Sequence, residues 1–228
     1  MYVCLSCLTF GLVYILSTAD LATNLSHSPA GKVDDIQTGS QTDQYQPIAT
    51  LANPTLPRLT ISTFAKVTAS FGDFDPDYET AIASHAPHNK LHGYRQFILR
   101  EQMVRGLWSK HSYLLTIIGQ ELAKPESQRL KWLFWHDRDT ILMNPQVPLD
   151  IFLPPSPEFD HIQLLVTNDR NGLNNGVFMV RVGQWAFKML ASALSVREYQ
   201  PELPLKYTEQ SGMEAVIQRV RHSSNDQI

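Results

Sequence analysis

The apolar, aromatic run Trp132-Leu133-Phe134-Trp135 passes through His136 into two acids spaced i and i+2, Asp137 and Asp139. A short apolar run of this kind has the pattern of a buried strand. In open α/β sheets ligands gather outside the carboxyl ends of the strands, so a strand that delivers two carboxylates there presents them to something. Two carboxylates with little else around them suit a hard divalent cation, Mg²⁺ or Mn²⁺, which takes one or two ligands from protein and the rest from phosphates and water. The simplest companion ligand is a nucleotide diphosphate. The plainer alternative is a pair of solvated loop acids. The strand before them and the turn signal Asn144-Pro145 after them favour the first reading.

The rest of the chain narrows the choices. Its 228 residues carry a formal net charge of -3, with Lys and Arg scattered among the acids, so no basic segment offers itself to nucleic acid. The length suits one domain with room for an additional tail. The only cysteines, Cys4 and Cys7, lie in the first apolar stretch, which leaves the globular part without a disulfide, a thiolate zinc site or a cysteine nucleophile. From Tyr2 to Ala19 there is no charge. The core Leu8 to Leu16 has signal-peptide length, and the whole falls just short of the ~20 residues of an ordinary spanning helix. Residues 1–19 are therefore expected to be a cleaved signal, with Ser17-Thr18-Ala19 as the small-residue site, or a short uncleaved anchor that holds the chain to a membrane. Either places the remainder in the secretory lumen, where Asn24-Leu25-Ser26 is a glycosylation acceptor. Residues 20–57 are polar and aperiodic and read as a disordered stem. The compact domain is expected over 58–218, followed by a polar tail, 219–228.

Within that domain, Leu59 to Phe71 reads as a strand or bent pair, and Asp75-Pro76-Asp77 as a strong helix start for a helix running toward Leu91. His85, His88 and His92 fall on one face of that helix. Zinc is a possible reading; the polar surroundings (Asn89, Lys90) favour solvent-facing histidines, with one packed beside Tyr94. Tyr94 to Leu99 is a second strand. Ser109 is a candidate cap for a helix whose stripe is Tyr113, Leu114, Ile117, Ile118 and Leu122. Lys110 then lies in its first turn, where a cation opposes the helix dipole; it is either an ordinary surface lysine or the neighbour of an anion such as a diphosphate. After a proline-rich crossing, the strand Ile162 to Val166 leads into the polar stretch 167–176, expected as a loop whose amides and Asp169 can bond sugar hydroxyls. The strand Val177 to Val182 and helices beginning near Trp185 and at Glu209-Gln210 complete the pattern.

Several stretches together resemble a family of fungal Golgi galactosyl and mannosyl transferases, glycosyltransferase family thirty-four. They are Ser70-Phe71-Gly72-Asp73, His92-Gly93-Tyr94, Trp108-Ser109-Lys110, His136-Asp137-Arg138-Asp139-Thr140 with Met143-Asn144, the run Asn168 to Gly176 with Phe178 and Arg181, Trp185, and Glu209-Gln210-Ser211. The resemblance covers roughly Lys66 to Ile217. It implies an α/β fold of the GT-A type, with a mainly parallel sheet flanked by helices, and a retaining, metal-dependent transfer of a hexose from a nucleotide sugar, UDP-galactose or GDP-mannose, to a glycan acceptor in the Golgi lumen. It also implies site residues. Asp139 would ligate Mn²⁺ (or Mg²⁺) directly, and Asp137 the ribose or a metal-bound water. Lys110 would serve the donor nucleotide, Asn168, Asp169 and Asn174 the transferred sugar or acceptor, and Glu209 with Gln210 the reacting face.

The resemblance stops before a segment in which the family carries a histidine in a His-Phe-Ala-Gly-like context; His222 lacks that context. A shortened transferase is the expectation, with a non-catalytic nucleotide-sugar-binding remnant as its rival. Haloacid-dehalogenase-like phosphatases also end a strand in Asp-x-Asp, but Ile141 stands where their motif has Thr or Val.

Overall fold

The computed structural model describes residues 62–225, with side chains to Arg219, and the backbone of β1 (Val3–Cys4) and β2 (Val13–Ser17). The expected signal or anchor and the stem fall largely outside the described residues. Among the described residues no helix is long and apolar enough to cross a membrane.

The architecture is α/β, as expected. The strands are β3 (Phe64–Ala69), β4 (Arg95–Leu99), β5 (Trp132–His136), β6 (Thr140–Ile141), β7 (Ile162–Asp169) and β8 (Gly172–Arg181). The helices are α1 (Pro76–Ala83), α2 (Ala86–His92), α3 (Ser109–Leu122), α4 (Gln184–Tyr199) and α5 (Glu209–Asn225). The main sheet runs β2-β7-β8-β5-β3-β4. Its parallel part is the triplet β5-β3-β4, while β8 joins β5 and β7 by antiparallel ladders.

Period-two alternation sorts the side chains of β5. Leu133 and Trp135 enter the large core with Leu114 and Ile118 of α3, Trp185 and Leu190 of α4, and Met213 and Ile217 of α5; Trp132 and Phe134 enter a smaller cluster with Phe64, Tyr94 and Leu149. The strand is therefore buried on both faces, and its two acids emerge where it leaves the sheet.

Local chemistry explains the elements beside those acids. Asp75 caps α1 by accepting from the Asp77 amide at 2.9 Å, and Pro76 stands in the first turn. The helix expected to continue toward Leu91 breaks at Ser84-His85 instead. Pro87, which has no N–H to continue the first helix, stands in the first turn of a second helix that starts at Ala86, and Gly93, left-handed at φ 70°, ends it. Ser109 does not cap α3. Its hydroxyl accepts from the Val104 amide at 3.1 Å and donates to the Val104 carbonyl at 2.6 Å, closing the preceding loop. The stretch 167–176, expected as a loop, is mostly paired strand: Asn168 faces Leu173 and Asp169 faces Gly172. The backbone of α5 continues to Asn225, into the stretch expected as a polar tail.

Candidate active site

Three elements bring charged groups together at the exit of β5. A cleft of about 230 Å³ is lined by Ala69, Phe71, Tyr78, Leu107, Lys110, Trp135, Asp137, Arg138, Asp139 and Glu209. β5 delivers Asp137 and Asp139, the first turn of α3 delivers Lys110, and α5 begins with Glu209.

Lys110 is the hub. Its ammonium is buried, 3.0 Å from Asp137 Oδ1, 3.2 Å from Glu209 Oε1, and 3.0 and 3.2 Å from the side-chain and backbone oxygens of Asn175. It also lies 5.2 Å from the centre of the Trp135 ring. Burial opposes the charge, but the Asp137 and Glu209 carboxylates outweigh it and hold the ammonium above the ordinary lysine range. The surface-lysine reading is thereby corrected: the anions beside Lys110 are two carboxylates of the protein itself.

The two acids of the motif differ. Asp137 is held firmly, its Oδ1 accepting from Trp135 Nε1 at 2.8 Å as well as from Lys110, and its amide donating to the Gly176 carbonyl at 2.8 Å. A Cβ on Gly176 would stand 3.3 Å from Asp137 Oδ2 and 3.1 Å from Asn174 Oδ1, so glycine lets β8 approach the acid closely. Asp139 reaches the cleft half-exposed, and among the described residues its carboxylate has no bonded partner. Between them Arg138 lies on the cleft wall, its guanidinium 3.9 Å from the centre of the Tyr78 ring and donating to the Phe71 carbonyl.

Glu209 is almost fully buried. Its Oε2 accepts from the Thr208 hydroxyl at 2.5 Å, and Thr208 is itself at φ 49°, unusual for a β-branched residue and costing about 1–3 kcal/mol. The chain accepts this strain directly before the carboxylate that pairs with Lys110.

The other expected residues do not line the cleft. Gln210 accepts from the Asn175 amide at 3.2 Å and so braces β8 against α5. Asp169 is exposed near the hairpin turn, holding the Asn171 amide and the Asn174 side chain at 2.7 and 2.9 Å. Asn174 passes this chain to the Gly176 amide, one step from Asp137, and Asn168 is half-buried in β7. Asn175, one position beyond the residue singled out from sequence, is the buried amide that holds Lys110. Only its place in an Asn-Asn-Gly run pointed toward it.

The three histidines are not solvent-facing as a group. His85 and His88 are buried and His92 half-buried. Among the described residues no group of three or more His, Cys, Asp or Glu could hold a metal ion, and zinc on this face finds no support. For Mg²⁺ or Mn²⁺ the residues fit a narrower role. Asp139, without a bonded partner among the described residues, and Asp137, which lines the same cleft, make a small oxygen donor set that phosphates and water would have to complete.

No protein-family model matches the chain, and no curated protein matches it. A solved structure does. The chain is similar to a glycosyltransferase involved in the glycosylation of the major capsid of PBCV-1, with 20% identity over 69% of this chain and 78% of that one, at a TM-score of 0.54. The likeness is one of fold: this chain has the mixed α/β architecture of that enzyme.

Proposed function

We propose that this chain binds a nucleotide sugar in the cleft at the end of β5 and transfers its sugar to an acceptor. The observation that carries the reading is the convergence of Asp137, Asp139, Lys110 and Glu209 in one cleft, in a fold shared with a glycosyltransferase. Beside two carboxylates a diphosphate needs compensating cations. Lys110 already shares its charge between Asp137 and Glu209, so a divalent ion on Asp139 and Asp137 would supply most of that compensation and give Lewis-acid help to the departing diphosphate. The Tyr78–Arg138 stack gives the cleft a flat wall suited to a base. Glu209, fixed by Lys110 and Thr208, would face the reacting sugar. Asp169, Asn168, Asn174 and Gln210 would act through the β7–β8 hairpin and its contact with α5.

The finer assignment follows the resemblance to family thirty-four: a retaining hexosyltransferase of the secretory pathway, using Mn²⁺ or Mg²⁺ and either UDP-galactose or GDP-mannose, with a glycan acceptor. The test is sugar transfer from each donor, in Mn²⁺ and in chelator, to a panel of mannose and galactose oligosaccharides. Transfer that needs the metal and is abolished in Asp139→Ala is the expected result. Donor binding without transfer or donor hydrolysis would replace the enzyme by a nucleotide-sugar-binding remnant.

A further inference from the structure

Lys66 is fully buried in the middle of β3, and among the described residues no carboxylate lies within ion-pair distance of it. Its Nζ instead faces two imidazoles, 3.1 Å from His85 Nδ1 and 2.7 Å from His88 Nδ1, with the Tyr94 ring centre 5.9 Å away. A lysine amino group, charged or neutral, has enough N–H groups to donate to both rings, so both Nδ1 atoms can accept. On the far side of each ring, Nε2 of His85 lies 3.2 Å from the Thr140 carbonyl and Nε2 of His88 lies 2.9 Å from the Val147 carbonyl. A carbonyl can only accept. Both ends of both rings therefore require the same neutral tautomer, with the proton on Nε2.

The carbonyls they hold belong to the segment that leaves Asp139. Two further contacts pin the same segment: the Leu142 amide donates to Ser84 Oγ at 2.9 Å, and His92 Nε2 donates to the Pro145 carbonyl at 3.0 Å. The His85 ring also stacks on His136 at 3.8 Å and 9°, and His136 Nδ1 donates to the Asp137 carbonyl at 3.2 Å. Two imidazoles on one cation, each backed by a carbonyl, is how imidazoles surround a metal ion. Here the amino group of a lysine on a strand takes that place.

We infer that Lys66 is a positioning residue for the acidic loop. It locks His85 and His88 in the Nε2–H tautomer, their N–H groups clamp the Thr140 and Val147 carbonyls, and the clamp sets where Asp139 enters the cleft. Only the last step rests on the donor-site reading above.

The test is histidine ¹⁵N NMR and amide hydrogen exchange on the full chain at neutral pH, beside donor calorimetry. Expected are single neutral Nε2–H tautomers for His85 and His88, with slow exchange at the Leu142 amide. Lys66→Met, checked for folding by circular dichroism, should lose the single tautomer, speed exchange across 140–147, and weaken donor binding about tenfold, the scale of one lost buried hydrogen bond. If Lys66→Met does not fold, His88→Leu and His88→Gln replace it: Gln keeps an N–H near the Nε2 position and should restore the loop protection that Leu loses. Nδ1–H or averaging tautomers in the native chain would overturn the inference. So would unchanged exchange in Lys66→Met, or equal loss in both His88 variants. A native chain with the expected tautomers and exchange but no donor affinity would refute the donor site and leave the clamp standing.

Discussion

The ammonium of Lys110, in the first turn of α3, and the carboxylate of Glu209, the first residue of α5, meet at 3.2 Å in a nearly dry place. Each is an expensive group to bury alone, and each is tolerated because the other is there. The contact ties the two helices together at the mouth of the cleft and leaves Lys110 free to share its charge with Asp137.

Removing one partner should therefore cost more than removing both. Lys110→Met is expected to lose about 3 kcal/mol because it strands a buried carboxylate, and Lys110→Met with Glu209→Gln to recover most of that. Urea unfolding of the two single variants and the double variant measures the cycle.

The two acids of the motif should separate stability from binding. Among the described residues the Asp139 carboxylate has no hydrogen-bond or ion-pair partner, so Asp139→Asn should change stability by no more than about 0.5 kcal/mol while abolishing metal-dependent donor binding. Asp137→Asn, which weakens the contact to Lys110, should lower both. Thermal melts beside calorimetry distinguish the two patterns.

Stability should rise with pH from acid into the mildly alkaline range. Burial, followed by nearby positive charge, lowers His85 and His111 to about 3 and His88 to about 4, and burial holds His136 well below 6.5. Below pH 6.5 the unfolded chain binds protons that these native rings refuse, so stability falls as pH falls, with the His88 share exhausted near pH 4 and the other shares continuing lower. Burial also lowers Lys66 to about 7 from 10.5, so above pH 7 the unfolded lysine holds a proton that the native one has released. Between pH 7 and 9 stability should climb, with a slope approaching about 1.4 kcal/mol per pH unit. Urea unfolding across this range checks the sign, and Lys66→Met should remove the alkaline climb.

Close packing behind the site gives a structural test. A Cβ on Gly212 of α5 would stand 2.8 Å from Trp108 Cη2 and 3.2 Å from the Ala193 carbonyl of α4. Gly212→Ala should push α5 off its seat and cost about 2 kcal/mol, read by denaturation. Donor affinity should fall with it, because Glu209 rides on the same helix.

The part of this arrangement that was readable in advance is local. The buried strand ending in Asp137 and Asp139, the capped start of α1 and the Glu209 helix each follow from a few adjacent residues. What was not readable depends on distant partners. Nothing near Lys110 announces that Asn175 will hold it. Asn89 and Lys90 suggested a wet face for the histidines, yet His85 and His88 turn inward to Lys66, and a lysine between Ala65 and Val67 in an apolar strand was the one hint of that demand. The Asn- and Gly-rich stretch 167–176 has poor strand propensity, and its pairing within β7 and β8 is imposed by the sheet around it.

The most direct measurement is calorimetry of the full chain against UDP-galactose and GDP-mannose, in Mn²⁺ and in chelator, with Asp139→Ala alongside. The account predicts binding of one donor that requires the metal and disappears in the variant. Folded protein that binds neither donor, or binds one equally with chelator and with Asp139→Ala, would contradict it.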